Sequence, residues 1–158
     1  MKTLILGLGN PILGDDGVGW RVAEEVAKKT ADRPDVEIDF VSLGGLSLME
    51  RLTDYERVIL IDSIFTGTQP VGTVSQFTLD RLPDLSSNHS TSAHDTSLRN
   101  ALNVGRSMNI QLPKDEDVHI IAIEAEHVYD FSETLSPPVE TAVPLAMEAV
   151  LQYLQHHS

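Results

Sequence analysis

Short apolar runs separate amphipathic segments along most of the chain. Three runs with almost no polar interruption, at 4–6, 58–61 and 118–123, are typical of strands buried on both faces of a sheet. Residues 36–40 alternate apolar and acidic side chains, which predicts a strand with one more hydrated face. Residues 73–78 are polar and β-prone. They predict an edge strand that runs antiparallel, because no helical pattern precedes it.

Apolar side chains at helical spacing predict four helices between and after these strands. The first covers about residues 17–29, the second lies near 46–52 and the third near 98–108, and the last begins at Pro137-Pro138. Strands that alternate with helices form a mostly parallel sheet with both faces covered. We therefore predict an α/β fold, a three-layer α/β/α sandwich with about five strands, as a single domain over residues 1–158.

Composition and charge narrow the class of protein. The chain has 158 residues, of which 41% are hydrophobic, as in an ordinary globular domain. Its 11 Lys and Arg against 24 Asp and Glu give a formal charge of −13, and no basic cluster suits a nucleic-acid partner. Cys is absent, which excludes thiolate catalysis. No apolar run approaches the ~18 residues of a membrane span and no signal peptide is visible, so we expect a cytoplasmic protein without a membrane partner. Nothing in the sequence suggests a large apolar interface, so we expect a monomer.

The first strand leads directly into GLGNPILGDDGVG at residues 7–19. Gly7 and Gly9 suit a tight turn. A dinucleotide fingerprint would need a third glycine where the chain has Ile12, and no Walker lysine lies near Gly14, so a nucleotide site is not predicted. The LGLGNP part also resembles peptidyl-tRNA hydrolases over this stretch alone, but the Asn and catalytic His that follow in those enzymes are replaced here by GDDGVG.

Two acids and one histidine are the candidate site residues. Asp16 precedes the first predicted helix, Asp62 ends the second apolar run, and His94 closes a polar loop before the third helix. Open α/β sheets bind ligands at the carboxyl ends of their strands, and two carboxylates with an imidazole suit a divalent metal such as zinc or nickel. Each residue also has a structural interpretation, as a helix cap, a turn residue and a solvated loop residue respectively. His119 is interpreted as a core residue and His127 as a loop residue.

Taken together, these motifs resemble the hydrogenase maturation endopeptidases. The likeness comprises GLGNPILGDDGVG, the Asp62-Ser pair after an apolar strand, Ser-x-His94 before a helix, Gly44-Gly45, and LSPPVETAVPLAMEAV in the last helix. The resemblance implies an enzyme that cleaves a C-terminal extension from the large-subunit precursor of a nickel–iron hydrogenase after nickel insertion. It also implies that Asp16, Asp62 and His94 contact that substrate-borne nickel, and that no organic cofactor takes part.

The donor set is compatible with this resemblance and leaves alternatives open. Two carboxylates and an imidazole are hard and borderline ligands that can engage a nickel ion already held by substrate thiolates. Asp16 can alternatively be the base that activates water, and Gly44-Gly45 leave room for an extended peptide. A second hypothesis is a non-catalytic metal-sensing or chaperone-like protein that uses the same three ligands. A third, a peptidyl-tRNA hydrolase, is opposed by the charge and the missing His.

Overall fold

The computed structural model describes residues 2–42, 45–81 and 93–157, with their side chains except at 45–46 and 93–97. Within these ranges, five strands and four α-helices follow one another largely as predicted. The strands are β1 (Thr3–Leu8), β2 (Val36–Val41), β3 (Arg57–Ile64), β4 (Val74–Thr78) and β5 (Val118–Glu124). The helices are α1 (Val18–Lys29), α2 (Gly45–Arg51), α3 (Ala93–Ser107) and α4 (Pro137–His156).

The strands form one sheet in the order β2-β1-β3-β5-β4. β1 pairs in parallel with β2 and β3, and β3 pairs in parallel with β5, whereas β4 is antiparallel to β5. The register places Gly7 of β1 opposite Ile61 of β3, and Asp62 opposite Ala122 of β5. The predicted α/β architecture is confirmed. The antiparallel edge strand is confirmed as well, since no crossover helix joins β3 to β4.

Two apolar cores lie on opposite faces of the sheet. One packs Leu60 and its strand neighbours against α2 and α3, and the other packs Ile59 and its neighbours against α1 and α4. Side chains alternate between the faces of a strand, so Asp62 belongs to the α2–α3 side and Ser63 to the α1–α4 side. Because both faces of the central strands are covered, their sequences contain almost no polar interruption.

A tight turn after β1 returns the chain to the carboxyl edge of the sheet. Gly9 has a φ of +133°, which L side chains rarely adopt, and a Cβ at this position would overlap the Asp16 carbonyl oxygen. Gly19 lies in the first turn of α1, where a Cβ would overlap the carbonyl oxygens of Leu8 and Ile61. These two glycines let the chain between β1 and α1 lie directly against the ends of β1 and β3.

Two element boundaries differ from the sequence prediction. β3 continues to Ile64, because its pairing with β5 extends to Glu124, so Asp62 lies inside the strand rather than in a turn after it. α3 begins at Ala93, so His94 is in the first turn of the helix rather than in the loop before it. Among the helices in the described ranges, none combines the length and the apolar character needed to cross a bilayer.

Candidate active site

Asp16 lies in the 3₁₀ turn Gly14–Gly17 between β1 and α1. The N-cap of α1 is Gly17, so the interpretation of Asp16 as a helix cap is wrong. Its Oδ2 accepts a hydrogen bond from the Asn10 N–H at 2.8 Å, which holds the turn after β1 closed. Its Oδ1 accepts a hydrogen bond from the Ser63 hydroxyl at 3.2 Å. The carboxylate is half-buried, and a ligand approaching this edge can reach it.

Asp62 is more deeply buried, with 1% of its surface exposed. Its Oδ1 accepts a hydrogen bond from the Ser63 N–H at 2.8 Å. A buried carboxylate needs hydrogen-bond donors or a cation to offset the loss of hydration. Ser63 therefore bonds both candidate acids, Asp62 through its backbone and Asp16 through its hydroxyl, and joins them at the carboxyl edge.

The third candidate, His94, is the second residue of α3, and its side chain lies outside the described part of the structure. Gln111 follows the end of α3, and its carbonyl accepts a hydrogen bond from the N–H of Asp54, just before β3. The end of α3 is therefore near the amino edge of the sheet. Fifteen helical residues extend about 22 Å, close to the length of the seven-residue β5. The backbone therefore directs the start of α3 towards the carboxyl edge. Among the side chains that are described, no three His, Asp or Glu lie close enough together to hold a metal ion.

Asp15, the neighbour of Asp16, is fully buried and has a different contact. Its Oδ1 accepts from the Ser136 N–H at 2.7 Å and its Oδ2 accepts from the Ser136 hydroxyl at 2.8 Å. Ser136 is the N-cap residue of α4, so Asp15 ties the start of that helix to the 3₁₀ turn. This role was not predicted from the sequence. Ser136 before Pro137 is a recognisable helix start, but no local pattern connects it to an acid 121 positions away.

Glu124 is a second buried acid that the sequence analysis missed, with 1% of its surface exposed. Its Oε2 accepts from the N–H groups of Thr66 at 2.8 Å and Gly67 at 3.3 Å, and its Oε1 accepts from the Thr66 hydroxyl at 2.6 Å. These bonds hold the loop that leaves β3 after Ile64. Glu124 follows an apolar run just as Asp62 does, so the same sequence signal was available for it.

Two further histidines occupy the environments that the sequence predicts. His119 is buried and stacks on Tyr153 with ring centroids 4.0 Å apart, and its Nε2 donates to Gln76 Oε1 at 3.0 Å. Burial, with a smaller contribution from His157, lowers the pKa of His119 to about 4. His127 is an exposed loop residue whose Nδ1 lies 3.1 Å from an Asp130 carboxylate oxygen.

The linked acids define what this edge can bind. Asp62 is buried and Asp16 is half-buried, and a cation beside either carboxylate would offset its loss of hydration. Carboxylate oxygens in a turn and near a strand end are chemically compatible with a divalent ion, and the start of the helix that carries His94 is directed to the same edge.

The chain is similar to known proteins in sequence and in fold. A family model described as hydrogenase maturation protease (HycI) matches residues 20–153. The hydrogenase 2 maturation protease of Escherichia coli is 26% identical over 155 residues, covering 98% of this chain and 92% of that protein. The hydrogenase expression/formation protein HupD of Rhizobium leguminosarum is 27% identical over 154 residues, covering 98% and 74% respectively. The solved structure of the Escherichia coli endopeptidase HybD shares the fold, with a TM-score of 0.81 at 24% identity, covering 100% of this chain and 94% of that one.

Proposed function

Because this chain belongs to the hydrogenase maturation protease family, we propose that it removes a C-terminal extension from the large-subunit precursor of a nickel–iron hydrogenase. Cleavage follows nickel insertion, and Asp16, Asp62 and His94 contact the inserted nickel. The precursor carries this metal into the site, so nickel is part of the substrate and no organic cofactor takes part. The enzyme works as a monomer in the cytoplasm.

The pair of hydrogen bonds made by Ser63 carries the proposal. Its hydroxyl donates to Asp16 at 3.2 Å and its N–H donates to Asp62 at 2.8 Å. Asp16, in the turn after β1, and Asp62, near the end of β3, thereby contact the same residue at the carboxyl edge, where α/β sheets bind ligands. A cation delivered by the precursor would find two oxygen ligands already oriented.

Nickel dependence follows from the charge of this site. Without a cation, the two carboxylates repel each other and disfavour a peptide carbonyl beside them. A nickel ion held by substrate thiolates retains positions that carboxylate and imidazole ligands can fill. Binding energy from these contacts is available only to a loaded precursor, so the enzyme distinguishes it from an empty one.

The cleavage itself is a hydrolysis. A water oxygen bonds to the scissile carbonyl carbon, the carbon–nitrogen bond breaks, and the leaving amine takes up a proton. Asp16 can alternatively be the base that accepts a proton from the attacking water, and its half-buried position, within reach of a ligand at this edge, supports that alternative. The deeper position of Asp62 supports a role as a fixed metal contact.

Family membership favours this enzyme over both alternatives. A non-catalytic metal-sensing or chaperone-like protein could use the same three ligands, but the matching family model describes a protease. A peptidyl-tRNA hydrolase shares only the LGLGNP stretch, whereas the protease model matches residues 20–153, beyond that stretch.

Incubation with precursor prepared with and without nickel tests the proposal. Mass spectrometry should show loss of the C-terminal segment from the nickel-loaded precursor only, and the Asp62→Asn protein should leave that precursor uncut. Asp32→Asn, an exposed acid outside the site, is the control and should cut normally. Equal cutting of nickel-free precursor would contradict nickel recognition but not proteolysis. Tight binding without any mass loss would favour the chaperone-like alternative.

A further inference from the structure

Large apolar side chains are exposed mainly at the carboxyl edge of the sheet. In the described part of the chain, seven large apolar side chains are substantially exposed, and four of them follow the ends of β1, β3 and β5. These four are Ile12 (49% exposed), Phe65 (48%), Tyr129 (86%) and Phe131 (87%). Exposed apolar surface concentrated in one place marks an interaction site, and aromatic rings are the side chains most enriched in such sites.

Tyr129 and Phe131 belong to residues 126–133, which we name the aromatic loop. It is joined by backbone hydrogen bonds to the turn that carries Asp16. Ser132 N–H donates to the Ile12 carbonyl at 3.0 Å, and Gly14 N–H donates to the Ser132 carbonyl at 2.8 Å. A ligand seated on the aromatic loop therefore lies beside the proposed cleavage site.

The charge of the aromatic loop indicates which ligand fits it. Glu126, Asp130 and Glu133 are exposed and lie around Tyr129 and Phe131, and the loop contains no Lys or Arg. Lys and Arg side chains of a ligand can stack on the rings while they pair with the carboxylates. A second copy of this chain is disfavoured, because a symmetric contact would bring two acidic loops of a chain with charge −13 together.

We infer that the aromatic loop docks a basic segment of the hydrogenase precursor while the scissile bond lies at Asp16 and Asp62. The identity of the partner rests on the proposed function, whereas the basic character of the segment rests on the loop itself. Because the loop contacts substrate away from the reacting atoms, it contributes to binding of the precursor rather than to the chemical step.

Two double variants and one matched control test the docking surface. Tyr129→Ala with Phe131→Ala removes both rings, and Glu126→Lys with Glu133→Lys reverses two charges. The control removes two other exposed apolar side chains, Met108→Ala with Leu145→Ala, which are 66% and 62% exposed. All six side chains are exposed, so the variants should fold, and circular dichroism checks this.

Steady-state cleavage of nickel-loaded precursor should show a KM increase of about 10-fold or more for both loop variants. The kcat should stay within about 2-fold of the original value, and the control should change neither constant. Precursor affinity measured by biolayer interferometry should fall by the same factor. Raising the salt concentration should weaken binding by the unsubstituted chain more than binding by the charge-reversed variant.

A second arm tests the basic segment directly. Replacing the Lys and Arg residues of the precursor's C-terminal region with Gln should weaken binding, and the charge-reversed enzyme should then lose little further affinity. Additive losses in this double-mutant cycle would overturn the proposed pairing.

Three results would overturn the docking proposal. Unchanged KM and affinity for both loop variants would do so while leaving the proposed proteolysis intact. If the unsubstituted chain fails to cleave precursor, the affinity measurements still test the loop, and equal affinity for all proteins would reject it. Self-association seen by sedimentation equilibrium, and lost in Tyr129→Ala with Phe131→Ala, would assign the loop to a contact between copies instead.

Discussion

Four acids at the carboxyl edge of the sheet form two pairs with different contacts. Asp15 and Glu124 each bond the N–H and hydroxyl of one loop residue that is distant in sequence. Asp16 and Asp62 both bond Ser63, and through it are joined to each other. Burial does not separate the pairs, since Asp62 and Glu124 are each 1% exposed. The informative difference is the hydrogen-bond partner. Asp15 and Glu124 each fix a loop, whereas Asp16 and Asp62 are connected to each other through Ser63.

The largest expected effect is the loss of precursor cleavage when either of the linked acids, Asp16 or Asp62, is replaced. Asp16→Asn and Asp62→Asn keep the shape and a hydrogen-bond acceptor but remove the charge that a metal ion or a water proton requires. We expect the rate on nickel-loaded precursor to fall roughly 10²–10⁴-fold in each variant. His94→Gln should lose activity by a comparable factor. Initial rates by mass spectrometry measure this, with Asp32→Asn as the control.

Thermal unfolding of the same proteins distinguishes a lost role from a lost fold. The Asp16→Asn protein should melt close to the original temperature, because the amide oxygen can accept from the Asn10 N–H while the amide NH2 donates to the Ser63 hydroxyl oxygen. Near-normal cleavage by Asp16→Asn or Asp62→Asn would remove the distinction between the two acid pairs.

The next effect is on stability, and it concerns the other pair. Asp15→Ala leaves the Ser136 N–H and hydroxyl without their acceptor, and Glu124→Ala does the same to Thr66. Each substitution should cost about 1–3 kcal/mol of unfolding free energy, or a melting temperature lower by about 2–4 °C per kcal/mol. Urea unfolding measures the cost. Cleavage per folded molecule should change far less than in Asp16→Asn.

A double-mutant cycle shows whether the hydroxyl bond to Asp15 causes this loss. Once Asp15 is Ala, Ser136→Ala should cost less than it does in the original chain, because the hydroxyl has no acceptor to lose. Additive costs would mean that Asp15 stabilises the protein by another route.

The fold was predictable because burial of the central strands and of one face of each helix leaves clear apolar patterns in the sequence. The central strands are covered on both faces, so 58–61 and 118–123 are almost unbroken apolar runs, and each helix keeps an apolar face towards one core. The boundaries were harder to predict. β3 extends past Asp62 because β5 continues to pair with it, and pairing between distant strands leaves no local signature.

The candidate site was predictable only in part. An acid after a buried strand is the signal that singled out Asp62, and Glu124 carries the same signal with a different contact. The hydrogen bonds that distinguish the structural acids from the candidate acids connect residues far apart in sequence. Ser136 and Asp15 are 121 positions apart, and Thr66 and Glu124 are 58 positions apart. Ser63 was part of a motif, but its bond to Asp16 crosses 47 positions. Hydrophobic periodicity reports burial of a segment and does not report such pairings.

A smaller loss of activity is expected when the hydrogen bond between Ser63 and Asp16 is removed. Ser63→Ala removes the hydroxyl bond to Asp16 and keeps the N–H bond to Asp62. A hydrogen bond to a charged group contributes about 1.5–3 kcal/mol, so kcat/KM should fall roughly 10-fold or somewhat more. Ser63→Thr restores a hydroxyl on a strand-compatible side chain and should recover most of the activity. Ser75→Ala on β4 is the control, and full activity of Ser63→Ala would show that the acids do not need the serine.

The smallest expected effect is a pH dependence of stability caused by His119, near the start of β5 and the amino edge of the sheet. The His119 Nδ1 is buried and has no hydrogen-bond partner among the described residues. Burial, and less strongly the charge of His157, lower the His119 pKa from 6.5 to about 4. Between these values the unfolded chain binds a proton that the folded chain does not. The free energy of unfolding therefore falls as the pH is lowered through this window.

We expect His119 to account for about 1 kcal/mol of lost stability between pH 7 and roughly pH 5.5. His119→Asn should remove this part of the slope, and His127→Asn, at an exposed histidine, should retain it. Urea unfolding at the two pH values measures the difference. Because His119 is distant from Asp16 and Asp62 along the sheet, cleavage at pH 7 should remain close to normal in folded His119→Asn protein. An unchanged slope in His119→Asn would assign the acid sensitivity to other groups, the buried acids of the carboxyl edge among them.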